Sequence, residues 1–368
     1  MSKGLEGVIA GETQISNVEG DIGRLTYRGY PIESLVHCSY VSVVWLLLFG
    51  DLPEADECAD LDAFLTAHNR LSARDLKLLE CLPSELPPMK MLQVMIPALE
   101  IDAGYRFEGL DEEASHGLQI IARLPALIAA FRRRELGMPL LLPDNSSTYL
   151  GNFLQLFTGE SVSAEHEAVL SVVQILQMEH SFNAGTFTTR VASSTLSSID
   201  SVLVAGVAAL SGVLHGGADE AALLDARRVG CPGAAAAFVD ELLAKGGKLM
   251  GMGHREYRTV DPRSLILKPL AERLCAGTES ETTFHTLVAL EDAFSVRMEE
   301  KGKRVKANLE FYKGAVYEVL GIPPHYFTSV FAMSRMVGWL AHFIESRRDN
   351  RIMRPKANYV GPTCRQVA

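Results

Sequence analysis

The stretch AEHEAVLSVVQILQMEHSF, residues 164–182, carries apolar residues at helical spacing over its whole length. MKMLQVMIPALE (89–100), HGLQIIARLPALIAAFRRRE (116–135) and IDSVLVAGVAALSGV (199–213) read the same way, and several of these stretches are apolar nearly all round. A helix without a polar face is one buried between other helices, so the pattern predicts an all-α fold. VSVVWLLLFG (41–50) adds an apolar helix that stops at Gly50, with Pro53 just beyond. Ahead of the helices, VIAGETQISNVEGDIGRLTYR (8–28) has short β-leaning pieces around the turn-rich NVEGDIG, which predicts a short N-terminal β-hairpin.

The texture changes after His215. DEAALLDARRVGCPGAAAAFVDELLAKGGKLMGMGHREYR (219–258) is richer in charge and glycine than the stretches before it, as is the run to EEKGKRVKAN (299–308). Apolar helical character then returns in FTSVFAMSRMVGWLAHFIE (327–345). This predicts a large helical domain of residues 1–217 plus 326–368, with a small helical domain, 218–325, inserted into it. A cleft between two lobes is the default place for a ligand. The length of 368 residues, above the roughly 100 to 200 of a single domain, agrees with a second lobe.

Composition narrows the function. With 48% hydrophobic residues the chain supports a large core, and no apolar run approaches the roughly 18 residues that span a bilayer, so a soluble protein is expected. MSKGLEGVIAGETQ at the N-terminus has neither an apolar signal core nor an Arg-rich presequence, so the expected location is cytoplasmic. Cys38, Cys58, Cys81, Cys231, Cys275 and Cys364 lie far apart with no C-x-x-C pair, which argues against zinc and against a disulfide framework. A net charge of −10 disfavours nucleic acid as a partner. FRRRE (131–135) and ESRRDN (345–350) accordingly read as solvated helix ends. An anionic small molecule needs only a local pocket of arginines and stays open.

Four stretches concentrate polar chemistry. EHSFNAGTFTTRVASS (179–194) places His180 and Asn183 after an apolar helix; GVLHGGADE (212–220) sets His215 among glycines; GMGHREYRTVDPR (251–263) follows His254 with arginines; NLEFYKG (308–314) sets Glu310 among aromatic residues. Each also has an ordinary structural reading: His180 as a helix cap, His215 in a glycine-punctuated loop, Glu310 as a turn acid. GMGHRE lacks the third glycine of a dinucleotide fingerprint, and no phosphate loop occurs. No His pair at i,i+4 spacing brings a further ligand, so no metal site is predicted.

Taken in order, these stretches resemble the citrate synthase family, and the likeness runs from GLEGVIAGETQIS (4–16) to RPKANYVGP (354–362). The resemblance implies a two-lobed helical acyltransferase that condenses acetyl-CoA with oxaloacetate and water to citrate and CoA in the tricarboxylic acid cycle. It implies Glu310 as the base that takes the methyl proton, His215 as donor to the thioester oxygen, and His254 as the group that polarises the ketone. Removing a weakly acidic proton while charge builds on oxygen needs a base and a donor at once. The glycines beside His215 would let the thioester approach the backbone. By the same likeness His180, Asn183, Arg263 and Arg335 bind oxaloacetate, and Arg354 is lent across a homodimer interface. Lys248, Arg255 and Arg258 are candidates for the CoA phosphates. No cofactor is implied, since the CoA thioester is a substrate.

Several positions depart from the commonest family pattern. Glu310 stands where Asp is usual, after Lys306-Ala307-Asn308 rather than Tyr-Pro-Asn, although a branch of short bacterial forms also has Glu. One methylene shifts a carboxylate by roughly 1.5 Å, and about 1 Å of misplacement costs on the order of 100-fold in rate. Val213, Asp219 and Glu256 replace a usual proline, a common asparagine and a usually apolar residue. Glu256, two residues from His254, either repels an anionic substrate or pairs with a neighbouring arginine. Two alternatives follow: a 2-methylcitrate synthase using propionyl-CoA, or a catalytically weak homologue with a binding or assembly role.

Overall fold

Ser39 opens the first long helix by accepting a hydrogen bond from the Ser42 amide at 3.0 Å. Gly50 ends that helix at φ 111°, where a side chain is strained, so start and stop lie where the sequence sets them. The structure, a computed structural model, describes residues 3–144, 147–213 and 215–366. In order its helices are α1 Ile32–Leu35, α2 Tyr40–Phe49, α3 Ala55–His68, α4 Ala73–Cys81, α5 Pro88–Met95, α6 Glu112–Glu135, α7 Tyr149–Thr158 and α8 Ala164–Gln177. They continue with α9 Ala184–Ser194, α10 Ile199–Leu210, α11 Ala218–Val229, α12 Ala235–Ala244, α13 Pro262–Cys275, α14 Glu281–Glu299, α15 Leu309–Val319 and α16 Phe327–Arg348. The fold is all-α apart from one small antiparallel sheet of β1 Ser16–Glu19, β2 Arg24–Tyr27 and β3 Tyr30–Pro31. Ser16 pairs with Tyr27 and Glu19 with Arg24, which is the expected hairpin, and Tyr27 pairs on with Tyr30.

One expectation from composition needs correction. α6 is long and apolar enough to cross a membrane, but 89% of its apolar window is buried inside the protein. It is a core helix that runs unbroken through Pro125, and its apolar character serves helix packing.

α16 runs through the core against α6, α8, α9 and α10. Its Trp339 is fully buried. Gly185 of α9 and Gly206 of α10 face the indole, where a Cβ would lie 3.1 and 2.8 Å from its ring atoms. Small residues at these points let three helices meet around one large ring. A second set of contacts joins α11, α13, α14 and α15. There Gly314 of α15 faces α11, and a Cβ on it would lie 2.9 Å from Leu223 Cβ and 3.1 Å from the Asp219 carbonyl oxygen.

The hairpin turn touches the second set from outside. A Cβ on Gly20 would lie 1.9 Å from the Glu256 carbonyl oxygen, and Gly23, at φ +66°, sits against Thr259 and Val260. The Arg258 amide donates to the Gly20 carbonyl at 3.0 Å. The arginines of FRRRE are not simply solvated, because Arg133 is buried with its Nε on the Pro139 carbonyl and Arg134 donates to the Glu80 and Leu82 carbonyls. They tie the end of α6 to neighbouring loops. In ESRRDN, Arg347 likewise donates to the Ser197 carbonyl at 2.5 Å, while Arg348 is exposed.

Candidate active site

Asn308 joins two loops that the sequence keeps more than 50 residues apart. Its side-chain oxygen caps α15 by accepting from the Glu310 amide at 2.9 Å, and its Nδ2 donates to the Gly253 carbonyl at 2.8 Å. The Gly253 amide donates to the Lys306 carbonyl at 2.8 Å, and the Asn308 amide to the Gly251 carbonyl at 2.9 Å. Gly251 and Gly253 both have φ near +80°, at 79° and 83°, so only glycines carry this turn without strain. The loop bearing His254 and the helix start bearing Glu310 are therefore tied together.

His254 Nδ1 accepts from the backbone amides of Glu256 and Tyr257 at 3.0 and 3.4 Å. An amide can only donate, so Nδ1 is unprotonated and Nε2 carries the hydrogen of the neutral ring. Burial, then the nearby Arg263 guanidinium, pushes the ring down to a pKa of about 4. His180 lies beside it, ring centres 5.1 Å apart, with Nε2 3.0 Å from the Tyr257 hydroxyl. Burial, Arg263, His254 and Arg335 hold His180 well below the ordinary histidine range.

Asn183, expected to bind substrate, spends its amide on a helix cap. Its oxygen accepts from the Thr186 amide at 3.1 Å, while Nδ2 donates to Thr186 Oγ1 and to the Ser181 and His180 carbonyls. The helix it caps is α9, and the turn it closes, with Ser181 at φ 48°, sets the orientation of His180.

His215 donates its amide to the Gly212 carbonyl at 2.8 Å, and its buried Nε2 has no hydrogen-bond partner among the described residues. Burial, then Arg335, lowers its pKa to about 4, with Glu310 opposing. The neighbouring glycine has a packing reason. A Cβ on Gly216 would lie 2.4 Å from the Leu210 carbonyl oxygen and 2.6 Å from Thr328 Cγ2, whereas Gly217 faces open space.

Arg263 is buried and forks onto Asp261, Nε to Oδ1 at 3.0 Å and Nη2 to Oδ2 at 2.8 Å. Burial opposes its charge, but Asp261 outweighs burial and raises the pKa above the ordinary arginine value. Asp261 also accepts from the Arg263 and Leu309 amides. Arg335 is buried, donates Nε to the Gln177 carbonyl at 2.7 Å, and lies 4.8 Å from the centre of the Phe331 ring. Glu310, half-buried in the first turn of α15, has a carboxylate oxygen against Nζ of the fully buried Lys313. Lys313 and Tyr257 are the site neighbours that sequence reasoning missed. The available signal for Lys313 was a lysine three residues after an acid in a largely apolar helix.

Other expected residues lie at the surface. Lys248, Arg255 and Arg258 are exposed. Arg258 pairs with Asp21 at 3.3 Å, both side chains at least 79% exposed, so the pair contributes little. Arg354 is exposed in the segment after α16, its Nη1 3.4 Å from the Pro355 carbonyl. Glu256 is exposed.

A pH prediction follows from the three histidines. Each protonates less readily folded than unfolded, so between about 6.5 and about 4 the unfolded chain binds more protons. The melting midpoint is expected to fall as pH drops through that window, and to fall less in His215→Asn. A wild-type midpoint that stays level or rises there contradicts the prediction.

Neutral imidazoles in loops and turns, two buried guanidiniums and a half-buried carboxylate on helices, are equipment suited to an acyltransferase. The family described as citrate synthase, C-terminal domain, matches residues 4–356. The chain belongs to the citrate synthase family. It is 35% identical to a citrate synthase of Deinococcus radiodurans, over 98% of this chain and 96% of that one. It is 34% identical to 2-methylcitrate synthase 2 of Corynebacterium glutamicum, over 100% and 96%. Among solved structures it is similar to the ternary complex of carboxymethyl coenzyme A and oxaloacetate with citrate synthase from Thermoplasma acidophilum. The TM-score is 0.92 at 31% identity, covering 100% of this chain and 98% of that one.

Proposed function

We propose that the protein condenses acetyl-CoA with oxaloacetate and water to give citrate and CoA. The observation that carries this reading is the neutral His254 ring, its Nε2–H fixed by two backbone amides, beside the buried Arg263 and His180. A ketone flanked by two carboxylates matches a neutral donor set among guanidiniums. Glu310 takes the methyl proton, and the C–H electron pair moves into the enolate, whose oxygen accepts a hydrogen bond from His215. The enolate carbon then attacks the ketone carbon, and the new alkoxide is met by His254 Nε2–H. Arg263 uses the edge of its guanidinium that Asp261 leaves free, and with Arg335 and His180 it holds the substrate carboxylates. Hydrolysis of the citryl thioester draws the sequence forward.

The same reading assigns residues 1–217 plus 326–368 and 218–325 to two lobes with the cleft between them. The active unit is a homodimer in which Arg354 of the second subunit completes the oxaloacetate site. Lys248, Arg255 and Arg258, exposed near the His254 loop, receive the CoA phosphates. No cofactor takes part, and the enzyme works in the cytoplasm within the tricarboxylic acid cycle.

The similarity to 2-methylcitrate synthase 2 of Corynebacterium glutamicum favours a second reading, in which propionyl-CoA is the better thioester. One methylene in an apolar pocket is worth about 1 to 3 kcal/mol, so the preference is partial. Thiol release with both thioesters and a panel of 2-oxo acids is expected to give the higher kcat/KM with acetyl-CoA and oxaloacetate. A higher value with propionyl-CoA transfers the assignment to 2-methylcitrate. Background release with intact ligand binding would leave only a binding or assembly role, a reading weakened by the exposure of Glu256.

A further inference from the structure

Behind Glu310 lies a buried charge cluster to which the reaction above assigns nothing. Lys313, one turn along α15, is 0% exposed, and so is Asp219 in the first turn of α11. Lys313 Nζ contacts a Glu310 carboxylate oxygen and lies 3.2 Å from Asp219 Oδ2 and 3.2 Å from Gln177 Oε1. It also sits 4.3 Å from the centre of the Phe331 ring. Gln177 cannot turn away, because its Nε2 donates to the Tyr317 hydroxyl at 2.9 Å and its carbonyl holds Arg335. Asp219 Oδ1 is occupied by the Glu220 amide at 2.8 Å, which leaves Oδ2 for the ammonium. The close approach at Gly314 is what lets α11 bring Asp219 this near.

Taking an ammonium out of water costs several kcal/mol unless it is paired, so such a lysine persists only where its partners are fixed. Here two carboxylates share it. We propose that Lys313 is the positioning residue of the base: it fixes one oxygen of Glu310, while Asp219 retains the ammonium whenever Glu310 has taken the substrate proton. The proposal rests on Glu310 being the base. In the resting cluster one cation faces two anions. Once the methyl proton is on Glu310, one cation faces one anion, and no buried charge is stranded. Competition for the ammonium is visible at Asp219, which burial lifts to a pKa of about 6, with Lys313 opposing and Glu310 adding to the rise. This also gives the longer acid a purpose, since Glu310 reaches back to Lys313 at i,i+3 on the same face.

The other groups that bear on Glu310 are Arg335 from α16, His215 and His254 from their loops, and Tyr317 on α15 itself. Glu291 from α14 is engaged elsewhere, by the Tyr312 hydroxyl and by Lys268 at 2.7 Å.

The test is the pH profile of kcat/KM for acetyl-CoA in the full-length enzyme, with melting midpoints recorded alongside. Losing an adjacent cation makes a carboxylate harder to ionise, so Lys313→Met is expected to move the acid limb up by about one to three pH units. Its plateau kcat falls about tenfold or more, because the base is no longer held. Asp219→Asn removes a like charge and is expected to move the limb down by about one unit. A purely structural cluster would lower the melting midpoint and leave both limbs where they were. That result, or shifts of the same sign in both variants, overturns the proposal. Should Lys313→Met not fold, the near-isosteric Asp219→Asn decides alone: a downward shift supports the proposal and an unmoved limb ends it. Glu310→Gln separates the two levels, since full activity there removes the base itself, whereas an inactive Gln variant together with unmoved limbs in Lys313→Met and Asp219→Asn removes only the role of Lys313.

Discussion

Glu310→Gln lowers kcat by about 100- to 10,000-fold while the Kd for oxaloacetate stays within a few-fold of wild type. The amide has the shape of the carboxylate but cannot accept the methyl proton. The groups proposed to hold oxaloacetate, Arg263, Arg335, His180 and His254, do not hydrogen-bond Glu310. Glu310→Asp is expected to lower kcat as well, by on the order of 100-fold, because the shorter side chain draws the carboxylate away from both Lys313 and the substrate. Rapid-quench measurement of citrate formation, paired with calorimetric titration of oxaloacetate, checks both. A Gln variant at full rate takes Glu310 out of the mechanism, and a faster Asp variant means that the backbone is set for the shorter acid.

Asp261→Asn carries the largest expected loss of stability. Asp261 is buried, and its two oxygens receive the Arg263 fork and the amides of Arg263 and Leu309. Burial alone would raise its pKa, but Arg263 outweighs burial and holds the carboxyl below the ordinary range. The pair therefore stabilises the fold above that range and loses its contribution as pH falls through it. Removing one partner of a buried pair strands the other charge, which costs about 3 to 5 kcal/mol. A melting midpoint lower by roughly 5 °C or more is expected, with weaker oxaloacetate binding as the Arg263 fork loses its seat. Arg258→Ala, which breaks an exposed pair, is expected to change stability by no more than about 0.5 kcal/mol. Equal midpoints for the two variants would show that the Asp261 pair is no more important than a surface contact.

The helices were legible because apolar periodicity and end signals are local properties: Ser39 and Gly50 bound α2 through their own backbone preferences. His215, His254 and Glu310 were legible as types, since each sits in a short stretch whose order along the chain is distinctive. Their states were not. The His254 tautomer depends on amides two and three residues on, and those amides turn inward only because Gly251 and Gly253 adopt left-handed backbone. Lys313 was hidden for a different reason. Its partners Gln177 and Asp219 lie 136 and 94 positions away, and a lysine on a helix ordinarily faces water. The capping role of Asn183 was not legible, because a cap and a ligand use the same side-chain amide. The arginines of FRRRE failed as a solvated end because α6 finishes against loops whose carbonyls accept from them.

The contact of Gly20 and Gly23 with residues 256–260 sets a timetable for biosynthesis. The hairpin leaves the ribosome early, yet the loop it braces is made about 236 residues later, roughly 12 to 47 s at translation rates of about 5 to 20 residues per second. During that interval the turn lacks its final neighbour, so the contact closes only after the His254 loop has been made. Assembly of the site is thus a late event, since a chain stalled before residue 260 lacks Arg263, Glu310 and Arg335 altogether.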